Sequence, residues 1–180
     1  LFTRSGEGEK MKRKENVEDI NTKISAGFEN IEKKLTEAKN VAGLFEILLT
    51  SIEKEFEVPF VWLTLKNNAG AVPVIEAVKS SDILKDRLNV IKPELFGEIF
   101  PSGLKPVLVN KNLNKYYKLF PANRKYFVKS LALVPFKMND EIVGSWNNGD
   151  ARLNRYTPDM QTNLLQKLAQ TLSVRLNEIV

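Results

Sequence analysis

With neither histidine nor cysteine in its 180 residues, this chain keeps only carboxylate, lysine and tyrosine side chains for acid–base or covalent chemistry. No Ser-His-Asp or Cys-His pair can form, and no imidazole or thiolate metal site can exist. Thiol redox chemistry and His-ligated haem are excluded on the same ground. The remaining groups form no recognisable catalytic pattern. The expectation is a binding or assembly module rather than an enzyme, with no catalytic residue, no metal and no cofactor.

What the residue types do offer is one basic, aromatic-rich segment. Residues 79–129 carry 11 Lys and Arg against 4 Asp and Glu, while the whole chain is only +5 at pH 7. Lys105, Lys111, Lys115, Lys118, Arg124, Lys125 and Lys129 would draw an anionic small ligand or an acidic partner if they shared a face. The reading with more weight is a set of solvated lysines, because lysine is rarely buried. Phe96, Phe100, Tyr116, Tyr117, Phe120, Tyr126 and Phe127 add apolar surface, fit to line a cavity or to pack as core or lid. Trp62 and Trp146 fall on separate expected strands, each facing either such a cavity or the core. Asn147-Asn148 is an unusual pair for a buried strand and marks its end or a ligand contact.

These side chains need a scaffold, and the length suits one domain with a short remainder. At 43% hydrophobic and 27% charged, the chain can bury a core and solvate its surface. It opens on Leu1 rather than Met, which reads as a fragment or a processed chain. No apolar run approaches the roughly 20 residues that span a bilayer, so no membrane is expected and the default location is cytoplasmic. Residues 1–14 read as a flexible basic arm, with Lys10, Lys12, Arg13 and Lys14 keeping it solvated.

From Glu15 to Asn40 the pattern is helical. Val17, Ile24, Ile31 and Ala38 recur every seventh residue, and Ile20, Phe28 and Leu35 fill a second stripe. So narrow a seam is what a coiled coil uses, and a homodimer through Val17, Ile20, Ile24, Phe28, Ile31 and Leu35 is the expectation. The alternative is an amphipathic helix lying on its own domain. Gly27 costs such a helix about 1 kcal/mol relative to alanine, so it needs a partner in either case.

Beyond Asn40 a broader apolar face, Leu44 to Phe56, ends before Pro59. Phe60–Lys66 reads as a strand, and Asn67 to Gly70 as the turn of a hairpin with a second strand at 72–78. A short helix is expected from Ser80 or Ser81 to Asn89, and another from Pro93 to Phe100. Pro106 to Asn110 reads as a strand and Asn114 to Phe120 as a helical turn. Strands at 130–136 and 141–148 flank a turn at Met138-Asn139-Asp140, and a last helix starts at Thr157-Pro158-Asp159. The order predicts an α+β domain, a central antiparallel sheet flanked by helices with a long N-terminal helix.

The run Ser130-Leu131-Ala132-Leu133-Val134-Pro135-Phe136, followed by Glu141-Ile142-Val143-Gly144-Ser145, resembles the fourth-strand signature of the GAF domain, a relative of PAS sensors. Proline at a strand's end and glycine at a close approach of two chains both have physical reasons. The run Asn148-Gly149-Asp150 through Arg155-Tyr156-Thr157-Pro158-Asp159-Met160-Gln161-Thr162 is similar to a GAF-related bacterial family of unknown function, the DUF four-eight-four group. The resemblance covers residues 41–180. It implies a ligand cavity between the sheet and the segment 79–129, with Trp62, Phe96, Phe100, Lys105, Tyr116, Tyr117, Phe120, Lys129, Trp146 and Asn147 as candidate ligand-binding residues.

Three activities of that fold are set aside by composition: bilin attachment and sulfoxide reduction need Cys, and haem binding uses His. The asparagine-lysine-aspartate-glutamate pattern of cyclic-nucleotide members is absent as well. The resulting expectation is a non-catalytic sensory or signalling module, dimeric, that binds an unidentified small molecule, an anionic one being an option that the basic segment leaves open. The runner-up is a structural dimerisation or protein-interaction domain without ligand. Nucleic-acid binding ranks low, because no helix-turn-helix, zinc finger or RNA-binding aromatic motif is present.

Overall fold

The stripe that begins at Val17 belongs to α1 (Arg4–Glu37) in a computed structural model that describes residues 4–121 and 127–180. Arg124, Lys125 and Tyr126 of the basic segment lie outside the described residues. α1 starts at Arg4, so residues 4–14 of the expected arm form its first turns. The seam itself splits in two. Phe28, Ile31 and Leu35 are buried in the domain's own core, so they are not available to a second copy. Val17, Ile20 and Ile24 remain exposed at 56%, 56% and 38%. The continuous heptad thus serves two surroundings, which a periodic pattern alone cannot distinguish.

Gly27 explains how α1 docks. A Cβ there would lie 2.9 Å from Phe56 Cε1, so the ring occupies the space glycine leaves. Phe28 meets the same ring with centroids 4.8 Å apart. Packing thus offsets the helix propensity that glycine gives up. After Glu37 the chain breaks, and Asn40 caps α2 (Val41–Phe56) by accepting from the Gly43 N–H at 2.7 Å. Arg175 Nε donates to the Ala38 carbonyl at 3.1 Å, satisfying an acceptor that the end of α1 would otherwise expose.

Five strands form one sheet in the order β2-β1-β5-β4-β3. They are β1 (Phe60–Lys66), β2 (Leu88–Ile91), β3 (Val107–Val109), β4 (Ser130–Met138) and β5 (Glu141–Asp150). β1 runs parallel to β2 and every other pairing is antiparallel, so the expected antiparallel sheet is in fact mixed. A parallel neighbour needs a crossover, and α3 (Val72–Ser80) supplies it where a hairpin strand was expected. The Asn68 side chain accepts from Ala71 N–H at 3.1 Å, and Pro73 sits in the first turn with its φ already suited to helix. Val74, Ile75 and Val78 then fall on one buried helical face. The apolar run had the composition of a strand and the spacing of a helix.

β2 replaces the helix expected from Ser80 or Ser81 to Asn89. The Ser81 hydroxyl accepts from Leu84 N–H at 3.3 Å, and only one 3₁₀ turn, Lys85–Arg87, follows. Pro93 keeps Lys92 extended, which favours strand before it and helix α4 (Pro93–Ile99) after it. The turn at Asn139 and Asp140 is as expected, both residues having positive φ (52° and 61°). The last helix, α5 (Asn163–Ile179), begins six residues later than expected. Thr157 donates to the Asp159 carboxylate and Met160 N–H bonds Thr157 carbonyl, so these residues close a turn of their own.

Two layers cover the sheet. On one face α2, α3, α5 and the second half of α1 bury Leu63, Leu65, Val134, Phe136 and Trp146. On the other, α4 and a 3₁₀ helix (Leu113–Leu119) cover Trp62, Leu131 and Leu133. Gly144 on β5 lies so near β1 that a Cβ would collide with the Thr64 carbonyl and come within 3.2 Å of Leu65 Cα. At the far end of β5, Asp150 is 3% exposed and accepts from the Arg152 N–H at 2.9 Å and from its guanidinium at 2.9 Å. Arg155 reaches from the same turn to the Phe56 carbonyl, tying β5 to the end of α2.

Two outcomes follow from this packing. Ile31→Ala should lose roughly 2–4 kcal/mol in urea unfolding, because Ile31 is fully buried, while Ile20→Ala should change it by less than about 0.5 kcal/mol in a monomer. Asp150 behaves differently, with a pH signature. Burial raises its carboxyl pKa, but the hydrogen bonds and charge of Arg152, with Arg155 beside it, outweigh burial and hold it below 3.8. A group depressed on folding stabilises above its ordinary value and loses that contribution as pH falls through the folded one. The Tm gap between the parent chain and Asp150→Asn should therefore close as pH falls below 3.8.

Candidate functional site

Strand parity assembles the site. Trp62 and Thr64 alternate on β1 with the helix-facing Leu63 and Leu65, and so point toward the segment 79–129. On β5 the same alternation turns Ser145 and Asn147 to that face and Trp146 to the other. β1 and β5 are paired with Trp62 opposite Asn147 and Thr64 opposite Ser145. Four polar side chains thereby share one patch of the sheet, and Thr64, Ser145 and Asn147 are all 0% exposed.

Buried polar groups persist only when hydrogen-bonded, and these are. With its oxygen turned to β1, the Asn147 amide accepts from the Thr64 hydroxyl at 2.9 Å, and Trp62 Nε1 lies 3.1 Å from the same oxygen. Its NH₂ then donates to Ser145 Oγ at 2.8 Å and to the Trp146 carbonyl at 3.2 Å. That orientation gives each group a complementary partner. Above the patch stands one backbone oxygen, the Leu119 carbonyl at the end of the 3₁₀ helix. Trp62 Nε1 donates to it at 2.6 Å, and Asn89 Nδ2, from β2, donates to it as well.

Around this polar centre lies an aromatic layer. Phe96, Phe100, Tyr116 and Phe120 are all buried. Phe96 and Phe100 meet at 4.6 Å, and Phe120 meets Trp62 at 5.3 Å. Gly149 lets Trp62 settle on the sheet, since a Cβ there would lie 3.1 Å from the indole. Lys66 completes the β1 row: its Nζ donates to the Ile142 carbonyl at 2.9 Å and sits 5.8 Å from the Phe96 ring centre.

Of the candidate ligand-binding residues, six gather in this layer: Trp62, Phe96, Phe100, Tyr116, Phe120 and Asn147. Tyr117 stands at its rim, 37% exposed and edge-on to Phe120 at 5.5 Å. Trp146 is a correction: it faces the helices on the opposite side of the sheet, because its parity on β5 is the reverse of Asn147. Lys129 is exposed, with its backbone N–H on the Asp150 carbonyl. Lys105 lines two open surface clefts, of about 480 and 520 Å³, and Tyr116 and Lys115 line the first with it. The described lysines of residues 79–129 are all exposed.

Thr64, Ser145 and Asn89 were missed from sequence. For Thr64 and Ser145 a signal existed, since each lies two residues from a chosen neighbour on the same strand and must share its face. Asn89 had none, because its segment read as helix.

No protein-family model and no curated protein matches the chain. A solved structure of the free methionine-R-sulfoxide reductase from Neisseria meningitidis, in complex with its substrate, is similar in fold. The TM-score is 0.55 and the identity 12%, covering 84% of this chain and 87% of that one. Such an identity speaks to the fold alone. The expectation that the chain is not an enzyme is corrected to this extent: its fold is shared with an enzyme, and an architecture by itself assigns neither catalysis nor its absence.

Proposed function

We propose that this chain is a GAF-like sensory or regulatory module that binds a small molecule between the sheet and residues 79–129 and acts as a dimer through α1. One observation carries the reading: neutral hydrogen-bonding side chains from three strands converge inside an aromatic layer. A few placed polar groups within apolar walls are the usual make-up of a small-molecule site. A core has no need of them, and each must be matched to avoid a desolvation penalty.

A second reading has its own support. The same layer is filled by Phe96, Phe100, Tyr116, Leu119 and Phe120. A domain packed in this way would serve as a structural dimerisation or protein-interaction module without a ligand. Native mass spectrometry of the protein purified from its own cells separates the two. A stoichiometric small molecule is the expected result, and a clean apo mass from gently handled protein would leave the second reading.

Dimerisation rests on Val17, Ile20 and Ile24, three exposed apolar residues on one stripe. Deleting α1 would be a poor test, since Ile31 and Leu35 would leave the core with it. Substituting Ile20→Lys and Ile24→Lys in the full chain should turn a dimer into a monomer in sedimentation equilibrium while the Tm of the domain core persists. A parent chain that sediments as a monomer would sink the dimer.

A further inference from the structure

Resting on the small-molecule reading above, the geometry around Leu119 narrows the ligand's chemistry. Donors from β1 and β2 meet at one oxygen, and that oxygen is a main-chain carbonyl lent by the segment that roofs the layer. Trp62 Nε1 is 2.6 Å away and Asn89 Nδ2 is bonded to it. Thr64 Oγ1 stands at 3.5 Å, a longer contact from the same side. A carbonyl has two lone pairs, and the first two donors occupy them. The donors belong to the sheet, whereas the acceptor belongs to a 3₁₀ helix, Leu113–Leu119, held by its packing on the layer.

We propose that this niche recognises a neutral carbonyl oxygen, as in an amide or lactam, on a small ligand with an apolar body. The Leu119 carbonyl is its built-in occupant. A ligand carbonyl entering the niche takes over the Trp62 and Asn89 bonds one for one, so no donor is left unpaired. The apolar body takes the place of the Phe120 ring against Trp62. The 3₁₀ helix moves out with Leu119, and the ligand state differs from the free state at that segment.

Charge selects the neutral class. Trp62 and Asn89 are uncharged donors. Lys66, on the same face of β1, is committed to the Ile142 carbonyl and to Phe96. A carboxylate in the niche would be buried without a cation, and that is costly. A neutral carbonyl replaces a neutral carbonyl at no such penalty. The described basic residues that suggested an anionic ligand, Lys105, Lys111, Lys115, Lys118 and Lys129, are exposed.

Displacement also sets the affinity. A binding-competent state populated only in part weakens apparent binding by that fraction. Loosening the occupant should therefore tighten the ligand, while deleting a donor should weaken it.

The two tryptophans make the test direct. The Trp62 indole N–H is hydrogen-bonded, and that of Trp146 is buried without a partner among the described residues. Their two indole signals in a ¹⁵N spectrum of the full chain should be well separated, with a Trp146→Phe variant assigning them. Titration with N-methylacetamide should move the Trp62 signal saturably and leave Trp146 in place, and acetate should move neither. Asn89→Leu should weaken the amide response roughly fivefold, the worth of about one hydrogen bond. Leu119→Gly should strengthen it.

A Trp62 signal that ignores the amide, or follows acetate equally, overturns the proposal whether or not the variants fold. A co-purified molecule whose binding leaves the Trp62 indole unmoved would also overturn it, yet keep the small-molecule reading. A clean apo mass together with a saturable amide response would keep the niche and return the broader reading to question.

Discussion

The pairing of β1 with β5 decides what each layer contains. Leu63 sits opposite Trp146, and Trp62 opposite Asn147. Because successive side chains in a strand alternate, that register sends Leu63, Leu65 and Trp146 to the helices and Trp62, Thr64, Ser145 and Asn147 to the other side. A slip of one residue in β5 would place Asn147 among the leucines of α2 and α5. Gly144 holds the register closed at one end, where only a missing Cβ lets β5 approach the Thr64 carbonyl. Asp150 secures the other end through Arg152 and Arg155. The aromatic layer, the polar centre and the helix core are all downstream of this one pair.

Segments whose local chemistry is self-sufficient were legible in the sequence. Pro93 opening α4, the Asn139-Asp140 turn and the apolar run of β4 depend on their own residues, and the structure has them where the pattern put them. Features set by distant partners were not legible. Residues 72–78 are β-branched and short, so composition favoured a strand. The helix arises from Pro73 in its first turn and from burial of Val74, Ile75 and Val78. β2 exists because β1 offers it a parallel edge, and no local signal announces that.

The candidate site divides in the same way. Its aromatic members could be gathered from residue type and position along the chain. Facing could not be read without the register, which is why Trp146 was grouped with residues on the opposite side. The acceptor that organises the polar centre is a backbone oxygen. Every residue but one in any chain has an equivalent amide carbonyl, so no residue type marks Leu119 as special. Asn89 acquires its role only through that carbonyl, thirty positions away.

On the proposed reading, the ligand layer and α1 lie on opposite faces of the sheet, so any coupling between them must pass through it. β1 and β5 are central strands, bonded on both sides, and are poor candidates for a large movement. A ligand that displaces Leu119 changes the load on Trp62 and Asn89 instead, and β2, which carries Asn89, is an edge strand of four residues. β2 also follows directly on the Arg87 turn, whose guanidinium pairs with Glu53 of α2 at 2.5 Å. From α2, Phe56 lies on Gly27 and Phe28 of α1. The edge of the sheet, rather than its centre, is therefore the physically softer route from the niche to the exposed stripe of α1. That route consists of contacts between packed elements. It carries a signal only if β2 has two positions that the niche can choose between.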